Sequence, residues 1–138
     1  MTEPADPAGG TVRQLRLCVT APDYDAAVSF YRDVLGLTVR ESYSSEDGRV
    51  MILNAGIATL ELADPTHAEF IDRVEVGRRV AGPVRVAFEV DDCPAVTMTL
   101  TDAGAELIAE PVVTPWNSQN ARLAGPAGLQ LTLFTELA

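Results

Sequence analysis

Between Leu15 and Val39 the spacing of apolar residues changes period and then changes back. Leu15, Leu17 and Val19 share one face at period two, with Gln14, Arg16 and Cys18 on the other, which predicts a half-covered strand. After Ala21-Pro22, residues Ala27, Phe30, Tyr31, Val34 and Leu35 recur at helical spacing. Asp23 or Asp25 can cap the helix start, and Gly36 stands where a left-handed C-terminal residue is wanted. The apolar strand face and the helix stripe pack on each other. The polar strand face points elsewhere, and what it points into is the functional question.

The first half continues with a turn over Ser42–Gly48, a strand over Val50–Leu53, a tight connection at Asn54-Ala55-Gly56 and a strand over Ile57–Leu62. From Asp64 to Gly82 the pattern is weaker: Ala68–Val76 fits a helical turn or a short strand, and the following residues read as loop. The opening pattern then restarts. Val84, Val86, Phe88 and Val90 alternate with Arg85, Ala87 and Glu89. Asp92 caps a helix with Pro94 in its first turn and Val96, Leu100 and Ala103 as its stripe, closed by Gly104. Strands over Glu106–Ala109, Asn117–Leu123 and Leu129–Phe134 follow, the last two joined through Gly125-Pro126-Ala127-Gly128, whose spacing is not that of a phosphate loop. Each half therefore reads strand, helix, three strands. Forty-seven residues separate Gln14 from Glu61, and forty-seven separate Arg85 from Thr132, as two copies of one βαβββ module would require.

Composition narrows the function. With 138 residues, nearly half of them apolar, the chain can bury one domain core. No run is long and apolar enough to span a membrane, and no basic-then-apolar leader stands at the start, so the location expected is the cytoplasm. A net charge of −10 disfavours nucleic acid and acidic membrane surfaces as partners. Cys18 and Cys93 lack metal or disulfide spacing and are expected as reduced thiols. Residues 1–11, small and rich in Pro and Gly, are expected to form a flexible tail.

The segments SFYRDVLGL (29–37), VRVAFEVDD (84–92) and TPWNSQNARLAGPAGLQLTLF (114–134), in that order, resemble the vicinal oxygen chelate superfamily of glyoxalases, extradiol dioxygenases, and fosfomycin and bleomycin resistance proteins. The resemblance implies an α+β fold: one glyoxalase/bleomycin-resistance-like domain over 12–138, with modules 12–64 and 83–136 joined by a connector at 65–82. Eight strands would form a U-shaped cleft, and two chains a homodimer. Metal-using members hold a divalent ion with His and Glu at four cleft positions, which fall here on Gln14, Glu61, Arg85 and Thr132. Only Glu61 is a usual ligand. Arg85 presents donors alone and would repel a dication. His67, the single histidine, lies off these positions. No metal is expected at the usual site, and no other cofactor.

The ligand cleft is expected to be built by Gln14, Arg16, Glu61, Arg85, Trp116, Thr132 and Phe134. Arg85 and Glu61 have two readings: a pair that holds the pocket's shape, or a receptor in which Arg85 takes a ligand carboxylate or phosphate. Trp116, and with it Tyr43 and Phe134, would stack on a planar ligand or pack at a seam. Arg78 and Arg79 would guide an anionic ligand, or belong to a loop or dimer contact. Cys18 shares the strand face of Gln14 but lacks an activating base. The expected function is metal-independent binding of a small, planar or anionic molecule, to sequester or carry it. The alternative is a lyase, isomerase or dioxygenase, metal-free or with a shifted metal, in which Glu61 is the only candidate base.

Overall fold

The computed structural model describes residues 10–138, so the expected flexible tail over 1–11 lies outside the described residues except for its last two. The first half contains strand β1 (Val12–Thr20), helix α1 (Tyr24–Val28) continued by a π-helical turn over Ser29–Val34, and strands β2 (Thr38–Ser45), β3 (Gly48–Ala55) and β4 (Ala58–Ala63). The second half contains β5 (Val84–Val90), α3 (Cys93–Asp102), β6 (Glu106–Val113), β7 (Ser118–Ala124) and β8 (Gln130–Glu136). Helix α2 (Pro65–Glu75) joins them. All eight strands form one sheet in the order β2-β3-β4-β1-β5-β8-β7-β6. β1 and β5 pair antiparallel at its centre, flanked by β4 and β8, each parallel to the first strand of its own module. Each half is the same βαβββ unit, as the alternation predicts.

The convex face carries two cores. Tyr24, Val28, Met51, Leu53 and Leu62 pack beneath α1, and Val90, Cys93, Ala121, Leu123 and Leu133 beneath α3. Leu53, Leu62, Leu123 and Leu133 are essentially sealed from water, and each such side chain contributes roughly 1.5–3 kcal/mol. Asp23 caps α1, accepting from the Ala26 N–H at 3.0 Å, and Asp92 caps α3, accepting from the Ala95 N–H at 3.0 Å. Asp25 instead pairs with Arg49. The first helical stripe is only half realised. In the π turn the Leu35 N–H reaches back to the Phe30 carbonyl, and the wider turn rotates the stripe. Tyr31 packs on the core, whereas Phe30, Val34 and Leu35 face solvent.

Register corrects the spacing argument. Arg16 stands opposite Thr59 on one side and Ala87 on the other, and Ala87 stands opposite Thr132. With Gln14 and Arg85 as counterparts, Thr132 therefore corresponds to Thr59 and not to Glu61. Glu61 lies one pleat further along β4, level with Cys18, which is itself level with Arg85.

The connector is also more than a loop, since 65–75 is helical and lies on the concave face. Asp64 caps α2 through the His67 N–H at 2.9 Å, and Pro65 occupies the first turn. Ala68 joins Val50 and Ala63 in a small core. At Gly48 a Cβ would collide with Asp64 Oδ1 and the His67 backbone nitrogen, and φ is +96°, so only glycine lets the β2–β3 turn close on the start of α2. At the other end Arg122 of β7, fully buried, donates to Asp72 Oδ1 at 2.7 Å and to Glu75 Oε1 at 2.8 Å. No helix among the described residues is long and apolar enough to cross a membrane.

Burial works against the Asp72 carboxylate, but the Ala81 N–H, Arg122, the Val80 N–H and Arg79 hold its pKa at about 2, below the ordinary 3.8. The resulting stability, about 2 kcal/mol, is fully present above pH ~4 and fades as the pH falls toward 2. Asp72→Asn should lower the urea-unfolding free energy at neutral pH by about 2–4 kcal/mol. It should also lose less stability than the natural chain between pH ~4 and ~2, which urea titrations at several pH values would measure.

Candidate functional site

α2 lies against the concave sheet face beside both arms, and a cavity of about 420 Å³ opens between them. Glu61, Arg85, Ala87, Thr132 and Phe134 form its floor, Tyr43 and Val50 one wall, Trp116, Asn117, Ser118 and Asn120 the opposite wall, and His67, Ile71 and Glu75 of α2 the roof. An apolar pocket with a few convergent polar groups is the usual form of a small-molecule site.

The floor is a chain of paired charges. Arg85 donates through one guanidinium nitrogen to Thr132 Oγ1 at 2.9 Å and through the other to Glu61 Oε2 at 3.4 Å. Glu61 Oε1 lies 3.8 Å from a guanidinium nitrogen of Arg16, so its two oxygens face two different arginines. Arg16 continues to Glu136 at 3.2 Å and Gln14 Oε1 at 2.9 Å, with its guanidinium 4.8 Å from the centre of the Phe134 ring. Gln14 Oε1 also accepts from Thr59 Oγ1 at 2.7 Å, and its amide nitrogen donates to Glu89. Burial opposes the charge on Arg85, yet the negative charge around it, Glu61 first among the carboxylates and then Glu75 and Asp72, holds Arg85 above an ordinary arginine. Burial also pushes the Cys18 thiol up to about 12, so it stays protonated and unreactive at neutral pH.

The roof is held by the Arg122 cluster. Asn120 donates to Glu75 Oε2 at 2.8 Å, and Ser118 donates to Asn120 Oδ1 at 2.6 Å. Trp116 precedes Asn117, whose φ of 62° turns the chain at the head of β7. The Trp116 ring centre is 6.0 Å from that of Phe70, which is 5.7 Å from the His67 imidazole. The His67 Nδ1–H donates to the Asp47 carbonyl at 3.1 Å. A carbonyl only accepts, so Nδ1 carries the proton of this contact.

Of the seven residues expected to build the cleft, Glu61, Arg85, Trp116, Thr132 and Phe134 line this cavity. Gln14 does not: it lines a separate depression with Arg40, Asn54 and Glu89. Arg16 lies against the floor, bound to Glu61 and Glu136, without lining the cavity. Arg79 pairs with Asp72 at 2.7 Å, in keeping with the reading of a loop contact. Sequence reasoning missed His67, Glu75, Asn120 and Arg122. The available signal was Asp72 and Glu75, a turn apart in the one segment whose period was ambiguous.

The model of the glyoxalase/bleomycin resistance protein/dioxygenase superfamily matches residues 13–133. The chain belongs to that superfamily. No curated protein matches it by sequence. Methylmalonyl-CoA epimerase from Mycobacterium tuberculosis is similar in structure at 20% identity and a TM-score of 0.64, covering 94% of this chain and 92% of its own. A variant of the Streptomyces coelicolor epimerase, in complex with 2-nitronate-propionyl-CoA, is similar at 24% identity and a TM-score of 0.63, covering 93% and 98%. A glyoxalase/bleomycin resistance protein/dioxygenase superfamily member from Vibrio splendidus 12B01 is similar at 17% identity and a TM-score of 0.61, covering 88% and 97%. At these identities the likeness establishes the fold.

Metal-using members of the superfamily need converging oxygen and nitrogen ligands, and the residues here do not fit one. Among the described residues no three His, Cys, Asp or Glu side chains gather as a cation site. Gln14 has spent its carbonyl on Arg16 and Thr59, and a dication at Glu61 would sit between two guanidiniums. Glu61→Ala, leaving Arg85 without its carboxylate and Arg16 with Glu136 alone, should cost about 3–5 kcal/mol of unfolding free energy. Combining Glu61→Leu with Arg85→Met should recover most of that loss in the same denaturant titration, because the unpaired buried charge at Arg85 goes too.

Proposed function

We propose that this chain is a metal-independent small-molecule binding protein that sequesters or carries a planar ligand in the cavity beneath α2. The observation that carries the reading is Glu61 clasped between Arg16 and Arg85 at the floor of an aromatic-walled cavity. Protein charge takes the place of an ion there, and Tyr43, Trp116 and Phe134 offer ring faces. Elemental analysis of the purified protein should find no stoichiometric divalent metal, and divalent ions should leave the melting temperature unmoved. Planar aromatic compounds should raise it in proportion to the logarithm of their concentration. Trp116→Ala should weaken such a compound by about 1 kcal/mol. Stoichiometric metal that disappears in Glu61→Ala would overturn the reading.

A second reading, a metal-free isomerase, is favoured by one observation. Glu61, the base expected for it, has both oxygens facing arginines, whereas the His67 imidazole, held at Nδ1 by the Asp47 carbonyl, lines the same cavity. Solvent deuterium incorporated into a carbon acid, and lost in His67→Gln, would select it.

The homodimer belongs to the same proposal, as does a cytoplasmic location. Leu15, Leu17 and Val84 lie on the central strands of the convex face and are more than a third exposed, an apolar strip that a second copy would cover. Sedimentation should give the mass of two chains, and Leu17→Lys the mass of one.

A further inference from the structure

The charges around the cavity are unevenly matched. Arg85 is answered by Glu61, Arg16 by Glu61 and Glu136, and Arg122 by Asp72 and Glu75. An anion entering the cavity meets no arginine free of a carboxylate, and would have to displace one. Carboxylates, in contrast, are in surplus. Glu41 lines the cavity and forms no ion pair among the described residues; it accepts a hydrogen bond from the Tyr43 hydroxyl at 3.5 Å. Glu136 lines it too, with its side chain half exposed and a single arginine partner.

Tyr43 stands on the same wall and registers the local field. Its phenol is pushed above the ordinary value by the negative charge of Glu41, then by burial, and more weakly by Glu136, against an opposing effect of Arg16. Glu41 and Glu136 therefore set carboxylates beside the Tyr43 wall, although the floor next to it is built on arginine.

We infer that the cavity selects a cationic ligand with a flat apolar body, an aromatic or quaternary amine. Its charge lies near Glu41 and Glu136 beside the Tyr43 ring, and its flat part reaches toward Trp116. Ring faces and carboxylates both favour a cation, and a weakly hydrated ammonium is cheap to bring into a half-apolar cavity. This inference rests on the small-molecule reading above and replaces the anionic ligand expected from Arg85.

Trp116 is the only tryptophan in the chain and lines the cavity, so its fluorescence reports occupancy. Three probes of similar shape separate the cases: benzyltrimethylammonium, benzyl alcohol and phenylacetate. The cation should quench saturably and bind about tenfold more tightly than the other two, an advantage that shrinks as salt is added. Glu41→Gln should remove most of that advantage, whereas Glu46→Gln, an equal charge change in the exposed β2–β3 turn, should preserve it. Unchanged melting temperatures in both variants would show that each is folded. Phenylacetate binding as tightly as the cation overturns the charge assignment and leaves the small-molecule reading standing. An equal loss of preference in both variants also overturns it, because net charge rather than Glu41 would then be responsible. No saturable response to any probe overturns the binding reading and this inference with it.

Discussion

A fully buried guanidinium holds the cavity together. Arg122 rises from β7 into the underside of α2 and takes one oxygen from Asp72 and another from Glu75. Gln130 accepts a further N–H, and Asp72 is satisfied in turn by Arg79 and two backbone amides. Such a cluster gains little over a well-packed apolar one, because desolvating three charges offsets most of their attraction. Its effect is positional. It fixes one rotation of α2 about its axis, and that rotation aims His67, Ile71 and Glu75 at the sheet. Among the described residues Arg122 Nε has no hydrogen-bond partner, and the two carboxylates set the geometry of the clasp.

The floor answers to the same constraint with different residues. Three neighbouring strands bring Glu61, Cys18 and Arg85 level with one another, and the small neutral thiol between the two charged groups leaves them room to meet. Two guanidiniums share one carboxylate at the base, and Glu41 and Glu136 add carboxylates to the lining, a charge distribution that is not obvious from a chain carrying a net charge of −10.

Much of this was legible in the sequence. Period-two alternation marked the strands, and its restart at Val84 marked the second module, because one buried face forces that pattern on any half-covered strand. The resemblance assigned Glu61, Arg85 and Thr132 to the cleft and strand parity added Phe134, and the structure lines one cavity with all four. Trp116 came from its place before β7, and the structure puts it on the cavity wall. The equal spacing that suggested Glu61 and Thr132 as counterparts was misleading: parity survives a two-residue slip along a strand, and equivalence does not. Phe30, Val34 and Leu35 read as a core stripe only if the helix keeps its ordinary pitch, and a π turn changes the pitch without any residue announcing it. α2 was obscured for a deeper reason. Asp72 and Glu75 look like solvent-facing residues, and the groups that satisfy them when buried, Arg122 above all, include residues some fifty positions away in the chain.

The roof over the cavity is the joint between the two repeats, and it occurs once. The sheet below is close to two-fold symmetric, since Gln14 meets Thr59 much as Arg85 meets Thr132. α2 has no twin, so it closes over one set of these residues while Gln14 is left in a shallower hollow on its own. A duplicated scaffold with two comparable half-sites thereby carries one closed chamber with unlike ends.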